Sequence, residues 1–154
     1  MKKVFYLLFC IMVVSNLHGQ TWTGTTSTSW NVSTNWNPTG VPTGASNVII
    51  PGSVASNNWP VFAGNVTINS IDMRSGSQLN VNGFTLTLNG VNTNISFTGA
   101  TLNNSNGATD IVINLNTGVG GYVTHFNSNT VNDAITFNIT GTNPFYEGDA
   151  APAN

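Results

Sequence analysis

The sequence predicts an all-β protein, and three observations lead to that reading. Apolar residues recur at every second position in Val66/Ile68, Ile71/Met73, Leu79/Val81, Phe84/Leu86/Leu88, Ile95/Phe97, Ile111/Ile113/Leu115 and Ile135/Phe137/Ile139, with Val123 standing alone. A period of two puts the apolar set on one strand face and the intervening Asn, Thr and Ser on the other. Turn-forming pairs separate these runs: Ser75-Gly76, Asn82-Gly83, Asn89-Gly90, Thr98-Gly99, Asn106-Gly107 and the glycine-rich stretch 118–121. Asn, Thr, Ser and Gly also make up about half of the 154 residues. All four are poor to middling helix formers, and they interrupt every window in which a helical period would show.

Dividing the chain at turn glycines gives four loosely similar units: 64–82, 83–106, 107–129 and 130–148. Each holds short strands that cannot bury their apolar face alone, so the units must stack on one another. The expected architecture is a right-handed parallel β-helix, with aliphatic columns inside and Asn or Thr ladders at the turns. An antiparallel β-sandwich is the alternative, since it also shows short alternating strands, and Asn-Gly pairs favour two-residue hairpins.

Charge narrows the classes of function. Only 5% of the residues are charged, against about 25% in an ordinary soluble domain. Three Lys and Arg residues in all exclude a basic nucleic-acid binder. A single cysteine excludes a disulfide scaffold and a Cys-based zinc site. At the N-terminus, Lys2 and Lys3 precede eleven apolar residues, 4–14, and then a polar stretch, 15–20. Eleven is too few to span a bilayer, which takes about 20 residues in a helix. The layout is that of a secretory signal peptide, residues 1–19, with cleavage expected after Gly19. Cys10 sits inside it, after a Phe9 too bulky for a lipoprotein signal. The mature chain would then carry no transmembrane segment, one arginine (Arg74), one histidine (His125) and five acids, Asp72, Asp110, Asp133, Glu147 and Asp149.

Residues 20–63 have a different composition. They hold all four tryptophans, Trp22, Trp30, Trp36 and Trp59, together with Pro38, Pro42, Pro51 and Pro60. A solenoid has open ends that need an atypical covering segment, and this stretch is the expected N-terminal cap. The repeat region then runs over 64–143, and residues 144–154 read as a tail. Within 21–51, Trp22, Gly24, Trp30, Asn35, Trp36, Gly40, Pro42, Val48, Ile50 and Pro51 form a pattern. It resembles an N-terminal signature of secreted surface proteins of Bacteroidetes-type bacteria, in which a W-x-G segment, an N-W pair, a G-x-P turn and a V-x-I-P strand precede β-helical repeats. That resemblance implies a large adhesin-like protein of the outer membrane surface, often ending in a C-terminal sorting domain. The closing stretch NPFYEGDAAPAN shows no such domain, so a fragment of a longer chain or another export route is expected.

Chemistry-bearing residues are sparse. A glycosidase needs two acids on one cleft, and the mature acids are scattered; stacking could gather Asp72, Asp110 and Asp133, but isolated acids at exposed turns are the simpler expectation. Polysaccharide lyases on β-helices resemble this architecture but combine calcium-binding acids with a basic residue, and Arg74 alone offers one. His125 has no second histidine for a metal site, and 118–121 lacks the Lys and helix of a phosphate loop. The sequons at Asn31, Asn65, Asn94 and Asn138 follow from the abundance of Asn, Ser and Thr. Trp22, Trp30, Trp36 and Trp59 could stack on sugars, although cap packing is the expected role of so large a side chain. The Thr85-Leu86-Thr87 pair, with Thr67-Ile68-Asn69 and Thr136-Phe137-Asn138, raises an ice-binding array as a remote reading. The expectation is a secreted, non-enzymatic surface module without cofactor, adhesin-like or a structural spacer of a cell-envelope protein. A carbohydrate-binding module using exposed Trp is the alternative, and a polysaccharide-active enzyme fragment is remote. Extracellular glycans or surface proteins are the expected partners.

Overall fold

Three parallel sheets wrap around one apolar core in the computed structural model, which describes residues 19–90, 95–107, 109–116, 124–140 and 145–147. Residues 1–18 of the expected signal peptide, Asn94, the glycine-rich stretch 118–121, Val123 and Asp149 lie outside the described residues.

The chain visits the sheets in a fixed cyclic order. The first full coil is β4 (Val66–Ile68), β5 (Ser70–Met73) and β6 (Gln78–Asn80). The second is β7 (Leu86–Leu88), β8 (Ile95–Thr98) and β9 (Thr101–Asn103). The third is β10 (Ile111–Leu115), β11 (Thr124–Asn127) and β12 (Thr130–Val131), and β13 (Ile135–Ile139) and β14 (Phe145–Glu147) begin a fourth. Before them come β1 (Gln20–Trp22), β2 (Trp36–Asn37) and β3 (Asn47–Ile50). The sheets run β4-β7-β10-β13, β6-β9-β12 and β2-β1-β3-β5-β8-β11-β14. The fold is therefore a parallel β-helix, and the antiparallel sandwich is excluded because β1–β2 is the one antiparallel pair among the named strands.

Register stacks like on like. Val66, Leu86, Ile113 and Phe137 form one inward column, and Ile68, Leu88, Leu115 and Ile139 form the next. The third sheet contributes Leu79, Leu102 and Val131. Leu86, Leu88, Phe97, Leu102, Ile111 and Ile113 are each 0% exposed. Burial fades at the last coil, where Ile135, Phe137 and Val131 are only partly covered and Ile139 is 47% exposed.

The Asn-Gly pairs do not close hairpins. Asn82-Gly83 joins β6 to β7 and Asn89-Gly90 leads from β7 towards β8, each turning the chain from one sheet to the next. Another corner explains two glycines directly. Gly76 (φ 85) donates its N–H to the carbonyl of Gly99 (φ 60), which donates to the carbonyl of Asn127, one coil further on. A left-handed backbone suits glycine, and a Cβ on Gly99 would stand 2.8 Å from Ser75 Oγ and 3.1 Å from Ser75 Cβ.

Two variants test this account by urea denaturation. Leu88→Ala should lower stability by about 2–5 kcal/mol, because a 0%-exposed side chain leaves a cavity between neighbouring coils. Gly99→Ala should lose about 1–2 kcal/mol from the left-handed backbone alone, and more if Ser75 has no room to move.

Candidate functional site

The N-terminal end of the solenoid is closed by aromatic rings. Trp36 meets Trp22 and Trp30 edge to face, with centroids 4.9 and 4.6 Å apart, and Trp30 meets Phe62 in the same way at 4.9 Å. This T-shaped geometry sets the positive edge of one ring against the negative face of the next. The indole N–H groups are also used: Trp22 Nε1 donates to the Asn58 carbonyl at 2.8 Å and Trp36 Nε1 to the Trp30 carbonyl at 2.9 Å. Trp22, Trp30 and Trp36 are 1–2% exposed, so their rings pack the core and present no face to a sugar. Trp59 differs: it is half-buried against the same core.

Residues 20–63 also continue the solenoid wall. β1 and β3 pair in parallel within the seven-stranded sheet, and Ser29 bridges in parallel to Val61, which bridges in parallel to Asn80 of β6.

Asn35 holds this cap together. It is fully buried and makes four side-chain hydrogen bonds. Its Oδ1 accepts from the main-chain N–H groups of Thr26 (2.9 Å) and Ser27 (3.0 Å). Its Nδ2 donates to Ser27 Oγ (3.1 Å) and to the Ser29 carbonyl (2.9 Å). Four bonds are the full capacity of an asparagine side chain. They fix the loop that carries Trp30 over the core, next to Trp36.

The outer faces carry the remaining polar chemistry. On the four-stranded sheet, Thr67, Thr87, Asn114 and Asn138 form one outward column. Asn138 Nδ2 donates to Asn114 Oδ1 (2.9 Å), and Asn114 Nδ2 donates to Thr87 Oγ1 (3.3 Å). Alongside, Thr140 Oγ1 donates to Asn116 Oδ1 (2.9 Å). The Thr-x-Thr pair lies here, but Val112 pairs with Thr136 in the column of Thr85, so threonine does not repeat at each coil. On the narrow sheet, Asn80 aligns with Asn103, whose Oδ1 accepts from Asn132 Nδ2 at 2.6 Å.

Register also gathers titratable residues that are far apart in sequence. On the outward side of the seven-stranded sheet, Asp72, Ser96 and His125 occupy successive coils. Unequal coil lengths hide this column from any reading of spacing. A catalytic triad needs the acid on the histidine and the histidine on the serine. Here the serine lies between them, which puts Asp72 and His125 two strands, roughly 10 Å, apart. The Asp72 carboxylate instead pairs with Arg74 at 3.1 Å, at the surface, and Ser96 Oγ shares a hydrogen bond with Thr98 Oγ1. Asp110 and Asp133 do not join Asp72; they precede β10 and β13 at a corner of another sheet. There Asp133 accepts from Asn104 Nδ2 and from the Ala134 N–H. Among the described residues, no three His, Cys, Asp or Glu side chains are grouped so as to hold a metal ion. No described helix is long and apolar enough to cross a membrane.

Asn35 supplies the test of the cap. Asn35→Ala should cost about 3 kcal/mol, since it strips partners from several main-chain groups at once. Asn35→Asp keeps the shape but faces the Ser29 carbonyl with an oxygen in place of a donor. Relative to the wild type it should be destabilised more at neutral than at acidic pH, where a protonated carboxyl can donate; thermal unfolding across pH reads the difference.

Comparison with protein-family profiles, with characterised proteins and with solved structures finds no match for this chain.

Proposed function

We propose that this chain is a secreted, non-enzymatic surface module, adhesin-like or a spacer within a larger cell-envelope protein. The observation that carries this reading is the set of outward Asn and Thr side chains bonded from coil to coil. Amides and hydroxyls held in this way lose little freedom when they engage a partner. They suit the hydroxyl groups of extracellular glycans or the main chain of another surface protein. The Lys-then-apolar layout of residues 1–19 supports export. An adhesin-like identity and a Bacteroidetes-type outer-membrane setting rest on the resemblance of residues 21–51.

Carbohydrate binding through tryptophan is the second reading, and one observation directs it to a single residue. Trp59 is only half-buried, whereas the other three rings are enclosed. In that reading a sugar ring would stack on the open part of Trp59.

Expression of the full chain with a C-terminal epitope in a bacterial host tests export. The expected product lies outside the cytoplasm and begins at Gln20; a cytoplasmic product retaining Met1 would contradict it. On a glycan array, binding that survives high salt is expected, because neutral groups are not screened as charges are. Loss of binding in salt, or binding confined to anionic glycans, would overturn the neutral-surface reading. A Trp59→Ala chain that folds but no longer binds would move the site from the ladders to that ring.

A further inference from the structure

Three Asn-Gly pairs occur in the chain, at 82–83, 89–90 and 106–107. In such a pair the glycine main-chain nitrogen can attack Cγ of the asparagine, unhindered by any Cβ. The N–Cγ bond forms and the Cγ–Nδ2 bond breaks. Nδ2 leaves as ammonia, carrying the proton lost from the glycine nitrogen. Water then opens the resulting succinimide at either carbonyl, giving aspartate or isoaspartate. Water is the only co-reactant. The reaction needs an asparagine amide free to rotate, a glycine N–H that is not engaged, and room for the ring.

The fold treats the three pairs differently. Asn82 is half-buried; its Nδ2 donates to the Phe62 carbonyl (3.2 Å) and its Oδ1 accepts from Ser105 Oγ (2.9 Å). The Asn106 side chain lies against Gly83, where a Cβ would stand 2.3 Å from Asn106 Nδ2, a contact shared by both turns that does not separate them. Asn89 is also half-buried and donates to the Gly44 carbonyl (3.4 Å), while the buried Gly90 donates its N–H to the Asn69 carbonyl at 2.6 Å. Asn106 is exposed, and among the described residues neither its side chain nor the Gly107 N–H makes a hydrogen bond. Gly107 is exposed too, with nothing within 4 Å of the Cβ position.

We propose that Asn106 is a site of spontaneous deamidation in the folded protein, and that the fold protects Asn82 and Asn89 from the same reaction. Asn82 and Asn89 react only when their turns open, and the opening equilibrium divides their rates. Conversion at Asn106 adds a negative charge to the turn between β9 and β10, outside the bonded ladders, so the solenoid persists after it.

The full folded chain, aged at mildly alkaline pH, is digested with chymotrypsin and mapped by mass spectrometry. Asn106 should convert at least about tenfold faster than Asn82 and Asn89, and the three rates should converge in denaturant. Equal rates in the folded protein, or faster loss at Asn82 or Asn89, would overturn the assignment. Isoelectric focusing gives a second readout. An Asn106→Gln chain with unchanged circular dichroism should lack the acidic form that accumulates first in the wild type, and persistence of that form would equally overturn it.

Discussion

Everything in this structure depends on coil stacking on coil in register. No single coil has an interior; each contributes a few apolar side chains that become a core only between the coils before and after. The parallel ladders fix that register, and a one-residue slip would turn Leu86, Leu88, Ile113 and Leu115 outward and Thr87 and Asn114 inward. The same register that builds the core therefore builds the outward Asn and Thr columns. Core and surface are two readings of one alignment.

Stacking leaves two ends, and the described residues close the N-terminal one. At the N-terminal end, Trp22, Trp30 and Trp36 lie over the aliphatic columns, with Asn35 locking their loop. β2 runs antiparallel along β1 and occupies the edge of the seven-stranded sheet, where a bare edge would invite pairing with another chain. Towards the last coil the columns continue into Phe137 and Ile139 with less cover. Stability should accordingly be graded along the axis, as in other solenoids whose coils contact only their neighbours.

The parts of this fold legible in the sequence are those with two or more apolar residues per strand. Ile111/Ile113/Leu115 and Ile135/Phe137/Ile139 alternate visibly and are strands β10 and β13. β9 and β12 of the narrow sheet each bring one inward apolar residue, Leu102 and Val131, and a single residue has no period. β14 lies in the stretch read as a tail for a similar reason, since Phe145–Glu147 has no partner at a spacing of two. The tryptophans marked the cap by composition alone. Asn35 stood out only as half of the N-W pair in the 21–51 pattern, because one asparagine among 25 gives no sign of being buried with all four bonds made. The Asp72–Ser96–His125 alignment was equally hidden, since it depends on coil lengths that only the register reveals.

The scarcity of charge has a structural reason. Outward positions on adjacent coils lie about 4.8 Å apart, and identical charges stacked at that distance would repel, whereas Asn bonds to Asn and to Thr up and down the axis. Residue-resolved hydrogen exchange tests the central claim most directly, because it reads coil stacking amide by amide. The amides of β5, β7, β8 and β10 should be the most protected, those of β1 and β3 beneath the tryptophan cap should stay close to them, and protection should fall through β13. Uniform protection along the axis, or a first coil that exchanges faster than β13, would contradict a stacked solenoid closed at its N-terminal end.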